Sequence, residues 1–215
     1  LAIAGGRSLV CAVFFAALLR GRVMPKGRFS LIAAGALAYA GVVIGFVVST
    51  RFTTAANTII LQYTSLIWVI VLGWLFLKER AQTHEIIAVA IGLAGVVLCA
   101  GGGFSLWRST GVLSLASLGD GLALFSGLCF ALTTLALRRL RSAASASEEQ
   151  PGDYAALVTL FFGNTLAAVV GLPSLLRDLQ TPVAGQSVGL WIVAWLGIAQ
   201  LGGGYWFFQR GLKTT

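Results

Sequence analysis

Charged residues are scarce in this chain of 215 residues: they make up 10% of the total, whereas hydrophobic residues make up 58%. A soluble domain carries about 25% charged residues, because its surface has to face water. The shortage of charge therefore excludes an ordinary soluble fold, and lipid must be the solvent for most of the surface. Composition alone identifies an integral membrane protein.

Residues that carry catalysis or bind metals are also scarce. His84 is the single histidine, and Cys11, Cys99 and Cys129 lie inside apolar runs without CxxC spacing. The sequence contains neither a phosphate-binding loop nor an HExxH motif, so no enzyme class is indicated. We predict no catalytic residue, no metal site and no cofactor. The net charge of +8 is spread between apolar runs, which argues against nucleic acid as a partner.

Apolar runs separated by polar segments predict an all-α fold with seven transmembrane helices. The predicted spans cover residues 1–19, 30–50, 55–77, 85–102, 120–137, 154–173 and 188–209. The sixth span is expected to end at Pro173. In the second span Gly41 and Gly45 form a GxxxG motif, which predicts close packing of a neighbouring helix.

Asp120 stands at the predicted start of the fifth span, where we expect its carboxylate to cap the helix. With Asp120 at a helix end, no acidic residue is predicted well inside a span. A proton relay normally needs an ionisable group inside the membrane. If the protein moves a solute across the membrane, this absence favours facilitated diffusion or exchange over proton coupling, unless a missing helix supplies the acid.

The third span carries a polar stripe on one side. Its members fall within one arc of a helical wheel: Thr54, Asn57, Thr58, Gln62, Ser65 and Trp68. Lipid offers these groups no hydrogen-bond partner, so the stripe must face a water-filled cavity or a neighbouring helix. We favour the cavity wall; packing between helices is the alternative.

Polar and aromatic residues in other spans extend this candidate cavity. The predicted substrate-binding residues are Tyr39, Asn57, Thr58, Gln62, Ser65, Trp68, Gln200, Tyr205 and Trp206. Amides, hydroxyls and aromatic rings with little fixed charge suit a small organic solute better than a highly charged one.

The distribution of lysine and arginine predicts the orientation of the spans. If successive spans alternate in direction, loops 20–29, 78–84 and 138–153 share one side of the membrane with the carboxyl-terminal end. Most basic residues lie on that side. Because loops rich in lysine and arginine remain in the cytoplasm, we predict that these loops are cytoplasmic.

Weak internal similarity indicates two inverted repeats. One alignment places Gly35 on Gly197, and another places Val13-Phe14-Phe15 on Leu160-Phe161-Phe162. Both relate the first two spans to the last two, which cross in opposite directions, as repeats with an odd number of helices would.

The run TTAANTIILQYTSLIWVIVLGWLFLKER, followed by HEIIAVAIGLAGVVL, resembles the EamA family of the drug/metabolite transporter superfamily. GDGLALFSGLCFALTTLALRR resembles the start of that family's second repeat. Family members usually have Gly-Glu where this chain has Lys78-Glu79. The resemblance implies a ten-helix fold of two inverted repeats of five helices around a central cavity, with both termini in the cytoplasm.

On this basis we expect a fragment of that fold. Residues 1–102 form the first repeat without its first helix, 103–118 a connector, and 119–215 the second repeat without its last two helices. The beginning on Leu1, inside an apolar run, agrees with a missing first helix.

The function implied by the resemblance is that of a transporter or permease in the inner membrane of a bacterial cell. We expect an exporter of small organic metabolites or drugs that works by alternating access around the central cavity. Its expected partners are a small-molecule solute and the lipid bilayer. The alternative is a membrane scaffold or assembly subunit that transports nothing and packs through small-residue helix faces.

Overall fold

The computed structural model describes residues 2–20, 28–78, 82–99, 115–144, 152–180, 186–204 and 207. Within these ranges the chain forms helices and turns, without a strand. The predicted all-α class is confirmed, and the chain is a polytopic helical membrane protein.

The helices are α1 (Ala2–Leu18), α2 (Phe29–Phe52), α3 (Ala55–Gln62), α4 (Ser65–Leu72), α5 (Thr83–Cys99), α6 (Leu115–Ala144), α7 (Gly152–Gln180) and α8 (Gln186–Trp195). The wider π-helical winding follows α4 at Gly73–Leu77 and α8 at Leu196–Gly203. Four described stretches are long and apolar enough to cross a membrane: Phe29–Phe52, Ala55–Phe76, Leu115–Ser142 and Tyr154–Gln180. Ala2–Leu18, Thr83–Gly95 and Val188–Gln200 are shorter apolar helices.

The third predicted span is not one regular helix. Thr54 caps α3, because its side chain accepts a hydrogen bond from the Asn57 backbone nitrogen. The helix then tightens at Tyr63 and Thr64, where Leu61 O accepts bonds from both the Thr64 backbone nitrogen and Thr64 Oγ1, at 3.2 Å and 2.6 Å. A hydroxyl that competes for a backbone carbonyl in this way breaks the regular hydrogen-bond pattern. The span therefore divides into α3 and α4.

The span ends at Lys78, which has a positive φ of 56°. This left-handed conformation terminates many helices and favours glycine, which has no Cβ to clash. The backbone thus explains why glycine is usual at this position in the family that the sequence resembles. Glu79 lies outside the described residues.

Two predicted helix ends are wrong. The fifth span was expected to begin at Asp120, but α6 already begins at Leu115, so Asp120 lies beyond the first turn and does not cap it. The sixth span was expected to end at Pro173, but α7 continues through this residue to Gln180. Proline costs a helix one backbone hydrogen bond, yet its fixed φ is helical, and membrane helices tolerate it.

The chain divides into two compact units, Leu1–Ala40 with Ala136–Thr215 as unit 1, and Gly41–Leu135 as unit 2. In unit 1, α1 packs against α7 so closely that a Cβ built on Gly5 would lie 2.8 Å from Gly171 Cα. A small buried cluster of Leu19, Ile32, Leu140 and Val158 completes the packing near the other end of α1. Small residues permit this close approach between membrane helices.

In unit 2, the second half of α2 packs against the first half of α6. A Cβ built on Gly41 would lie 2.8 Å from Cys129 Sγ, and one on Gly45 would lie 3.3 Å from Ser126 Cβ. The predicted role of the GxxxG motif in helix packing is confirmed, and α6 is its partner.

Each compact unit contains segments from both predicted repeats, because compactness and sequence similarity divide the chain differently. The division into repeats 1–102 and 119–215 stays a prediction, as does the assignment of cytoplasmic loops. Residues 115–118 of the expected connector are part of α6. Residues 21–27, 79–81, 103–114 and 145–151, which belong to the predicted loops and connector, lie outside the described residues.

Candidate functional site

The polar stripe of α3 is anchored in unit 2 by hydroxyl groups on two other helices. Thr58 Oγ1 lies 3.0 Å from Ser49 Oγ of α2, and Ser49 donates to Gly119 O of α6 at 2.8 Å. With the Ser49 proton used on Gly119, the single Thr58 proton goes either to Ser49 Oγ or to Thr54 O, which lies 3.1 Å away in its own helix. Ser49 and Thr58 are fully buried, so this hydrogen-bond chain satisfies polar groups that lipid could not.

A second chain begins at Gln62, one turn further along the stripe. Gln62 Nε2 donates to Ser126 Oγ of α6 at 3.0 Å, and Ser126 Oγ donates to Val42 O of α2 at 3.1 Å. Because the single Ser126 proton is used on Val42, the hydroxyl can only accept from Gln62. The Gln62 amide is thereby oriented with its nitrogen towards Ser126. Its Oε1 atom makes no hydrogen bond with a described residue, and the side chain is only half-buried.

We expect Ser126→Ala to lower the free energy of unfolding by about 0.6 kcal/mol and at most about 1.7 kcal/mol, the average and the maximum for hydrogen bonds between membrane helices. The measurement is denaturant titration of the purified protein in detergent. Ser142→Ala is the matched control, since Ser142 is exposed at the end of the same helix and donates only to Arg139 O nearby. A double-mutant cycle with Gln62→Met isolates the coupling. A coupling energy of zero would show that the bond between Gln62 and Ser126 contributes nothing.

The remaining stripe residues differ in exposure. Asn57 and Ser65 are buried, whereas Trp68 is 38% exposed. Asn57 Nδ2 donates a long bond of 3.5 Å to Thr53 Oγ1. On the opposite side of the same span Ile59, Ile67 and Val71 are exposed, as expected for a surface in contact with lipid.

Tyr39 is a residue of α2 in unit 1, and its side chain is fully buried against α7. Its hydroxyl donates to Asn164 Oδ1 at 3.4 Å, and Asn164 Nδ2 donates to Leu160 O at 2.9 Å. The ring packs against Gly163, where a Cβ would lie 2.7 Å from Tyr39 Cδ1. Tyr39 is thus packed tightly against α7.

Of the three candidates in the last span, the structure describes only Gln200. Gln200 is exposed, within the π-helical segment Leu196–Gly203. Tyr205 and Trp206 lie outside the described residues. The structure therefore places Asn57, Thr58 and Gln62 on α3 and Ser65 at the start of α4, all in unit 2, and it places Tyr39 and Gln200 in unit 1.

The first part of the sequence is similar to a known family of membrane proteins. Residues 1–101 match the EamA-like transporter family. The match covers 101 of the 215 residues, slightly less than half of the chain. The match includes the whole polar stripe, whereas Ser126 and Asn164 lie beyond it. No curated protein and no solved structure matches the chain.

The chain contains buried polar residues that the sequence analysis missed, namely Ser49, Ser126 and Asn164. The sequence feature that could have identified them is a serine or asparagine within an apolar span, since α2, α6 and α7 each contain such a residue. Serine is common in membrane helices as a local hydrogen-bonding residue, so its presence does not identify a partner on another helix. Only the fold pairs Gln62 with Ser126.

Proposed function

We propose that this EamA-like protein exports small organic metabolites or drugs by alternating access around a central cavity, in the inner membrane of a bacterial cell. The family assignment supports the transporter class. The polar stripe along α3 and the start of α4 supports the location of the solute-binding site, with Asn57, Thr58, Gln62 and Ser65 as the residues that contact the solute.

The observation that carries this proposal is the orientation of the Gln62 amide. Ser126 holds the nitrogen, so Oε1 remains as an acceptor on a half-buried side chain in a membrane span. Polar groups within a membrane span are usually paired with another group or face water or a solute. A fixed acceptor with no partner among the described residues is suited to a hydrogen-bond donor on a transported molecule.

The test is solute counterflow in proteoliposomes that contain the purified chain. Amino acids, purine derivatives and aromatic amines are offered with and without an imposed pH gradient. We expect saturable exchange of at least one solute, because alternating access moves a bound solute in either direction. Failure to exchange any member of the panel by folded protein would contradict the proposal.

The scaffold alternative is favoured by one specific observation. Thr58 and Gln62 already hydrogen-bond to α2 and α6, which is how a stripe used for packing would behave. A scaffold binds no solute, so it would unfold at the same temperature with and without every compound of the panel, whereas a transporter is stabilised by its solute.

A further inference from the structure

Asp120 is an acidic residue that the proposed function leaves unused. It lies past the first turn of α6, within the stretch Leu115–Ser142 that is able to cross a membrane. Its Oδ1 atom is buried, and the side chain makes no hydrogen bond or ion pair with a described residue. A carboxylate in a membrane span is costly, and such residues generally serve a ligand, an ion or a proton.

A second acceptor without a partner lies on α3. Asn57 is 5% exposed, and its Oδ1 atom has no hydrogen-bond partner among the residues that the structure describes. Nearly all buried polar atoms in folded proteins have a partner, so each exception needs a reason. The long bond from Asn57 Nδ2 to Thr53 Oγ1 places this amide beside the link between α2 and α3.

The same link contacts the residue before Asp120. A Cβ built on Gly119 would lie 2.8 Å from Phe52 Cβ and 2.8 Å from the Thr53 backbone nitrogen. Ser49 Oγ holds this contact by donating to Gly119 O. Asn57 therefore contacts Thr53 through its own amide, and Asp120 directly follows Gly119, the residue of α6 that lies against Thr53.

The chemistry of the two acceptors defines the ligand. Two oxygen acceptors, one of them a carboxylate, require hydrogen-bond donors or a cation, and a single negative charge is balanced by a single positive charge. Divalent cations such as Mg²⁺ and Ca²⁺ prefer several carboxylates or retained waters. A neutral donor would leave the carboxylate charge in the membrane uncompensated.

We propose that Asn57 and Asp120 bind a monovalent cation, either the protonated amino group of the transported solute or an alkali ion. The inference deepens the proposed function, on which it relies for the identity of the solute. Binding itself does not depend on transport, so the two can be tested separately.

The test is thermal unfolding of the purified full chain in detergent at constant ionic strength. The probes are phenethylamine, its neutral analogue phenethyl alcohol, sodium chloride and choline chloride. A ligand that binds the folded state raises Tm with a saturable dependence on concentration. We expect such a rise with phenethylamine or sodium chloride, and none with phenethyl alcohol or choline chloride.

Three variants locate the effect. Asp120→Asn is expected to weaken the apparent affinity for the active probe by about tenfold or more, since it removes a charge-assisted interaction. Asn57→Asp adds a second carboxylate and is expected to strengthen binding. Glu85→Gln is the matched control, because Glu85 is an exposed carboxylate on α5 that accepts from the Gln82 backbone nitrogen. If Asp120→Asn does not fold, Asn57→Asp decides the question.

The outcomes separate the sources of the cation. A response to phenethylamine alone supports the amino group of a solute, and a response to sodium chloride supports an alkali ion. If neither probe acts, or if Asp120→Asn responds like the unaltered protein, the proposal is overturned, and a trapped water satisfies both acceptors. Cation binding without any solute exchange in proteoliposomes would contradict transport and leave the cation site intact.

Discussion

Replacing Gly5 by alanine is expected to lower the free energy of unfolding by about 1–3 kcal/mol, and replacing it by leucine is expected to prevent α1 from docking on α7. The added Cβ would lie 2.8 Å from both Gly171 Cα and Gly171 C, and 3.0 Å from Gly171 O. These are backbone atoms, so no side chain can rotate away to relieve the clash. The helices have to separate, and contacts along α1 are lost with them.

The measurement is denaturant titration of the purified variants in detergent. Gly92→Ala on α5 is the matched control, because no described atom lies within 4 Å of the position its Cβ would take. We expect the control to be at least as stable as the unaltered protein, because alanine favours a helix more than glycine does. Equal stability of Gly5→Ala and Gly92→Ala would contradict the close packing of α1 on α7.

Substituting Gln62 and Ser65 by leucine is expected to reduce solute exchange by about tenfold or more, because two groups assigned to solute binding are lost. Gln62 is the stripe residue with a fixed amide orientation, through its bond to Ser126 at 3.0 Å. Ser65 is buried one turn further along the span. The measurement is counterflow in proteoliposomes, normalised to the amount of folded protein.

Two sets of control variants test whether a loss of exchange comes from added bulk or misfolding rather than from the lost polar groups. Gln62→Met and Ser65→Ala remove the polar groups without adding bulk, so they are expected to reduce exchange while the protein still folds. Gln82→Leu makes the same chemical change at an exposed position just before α5 and should leave exchange unaltered. Exchange with normal affinity in the Gln62 and Ser65 variants would mean that the solute binds elsewhere.

The membrane character of the chain and its helical class are determined by the sequence alone. The hydropathy of each span is a local property, so apolar runs such as 30–50 predict a membrane helix without knowledge of the neighbours. Packing motifs are also partly local. Gly41 and Gly45 predict a close helix contact, because their spacing places both on one helix face.

Tertiary structure decided which helix packs against Gly41 and Gly45 and which partners the polar side chains bind. Gln62 and Ser126 are separated by 64 residues, and Tyr39 and Asn164 by 125. No local pattern encodes pairings over such distances. The position of Asp120 is the clearest example, because a carboxylate beside Gly119 resembles a helix cap in sequence. Only the early start of α6 at Leu115 places Asp120 within the span, directly after the residue that lies against Thr53, and a carboxylate there requires a partner.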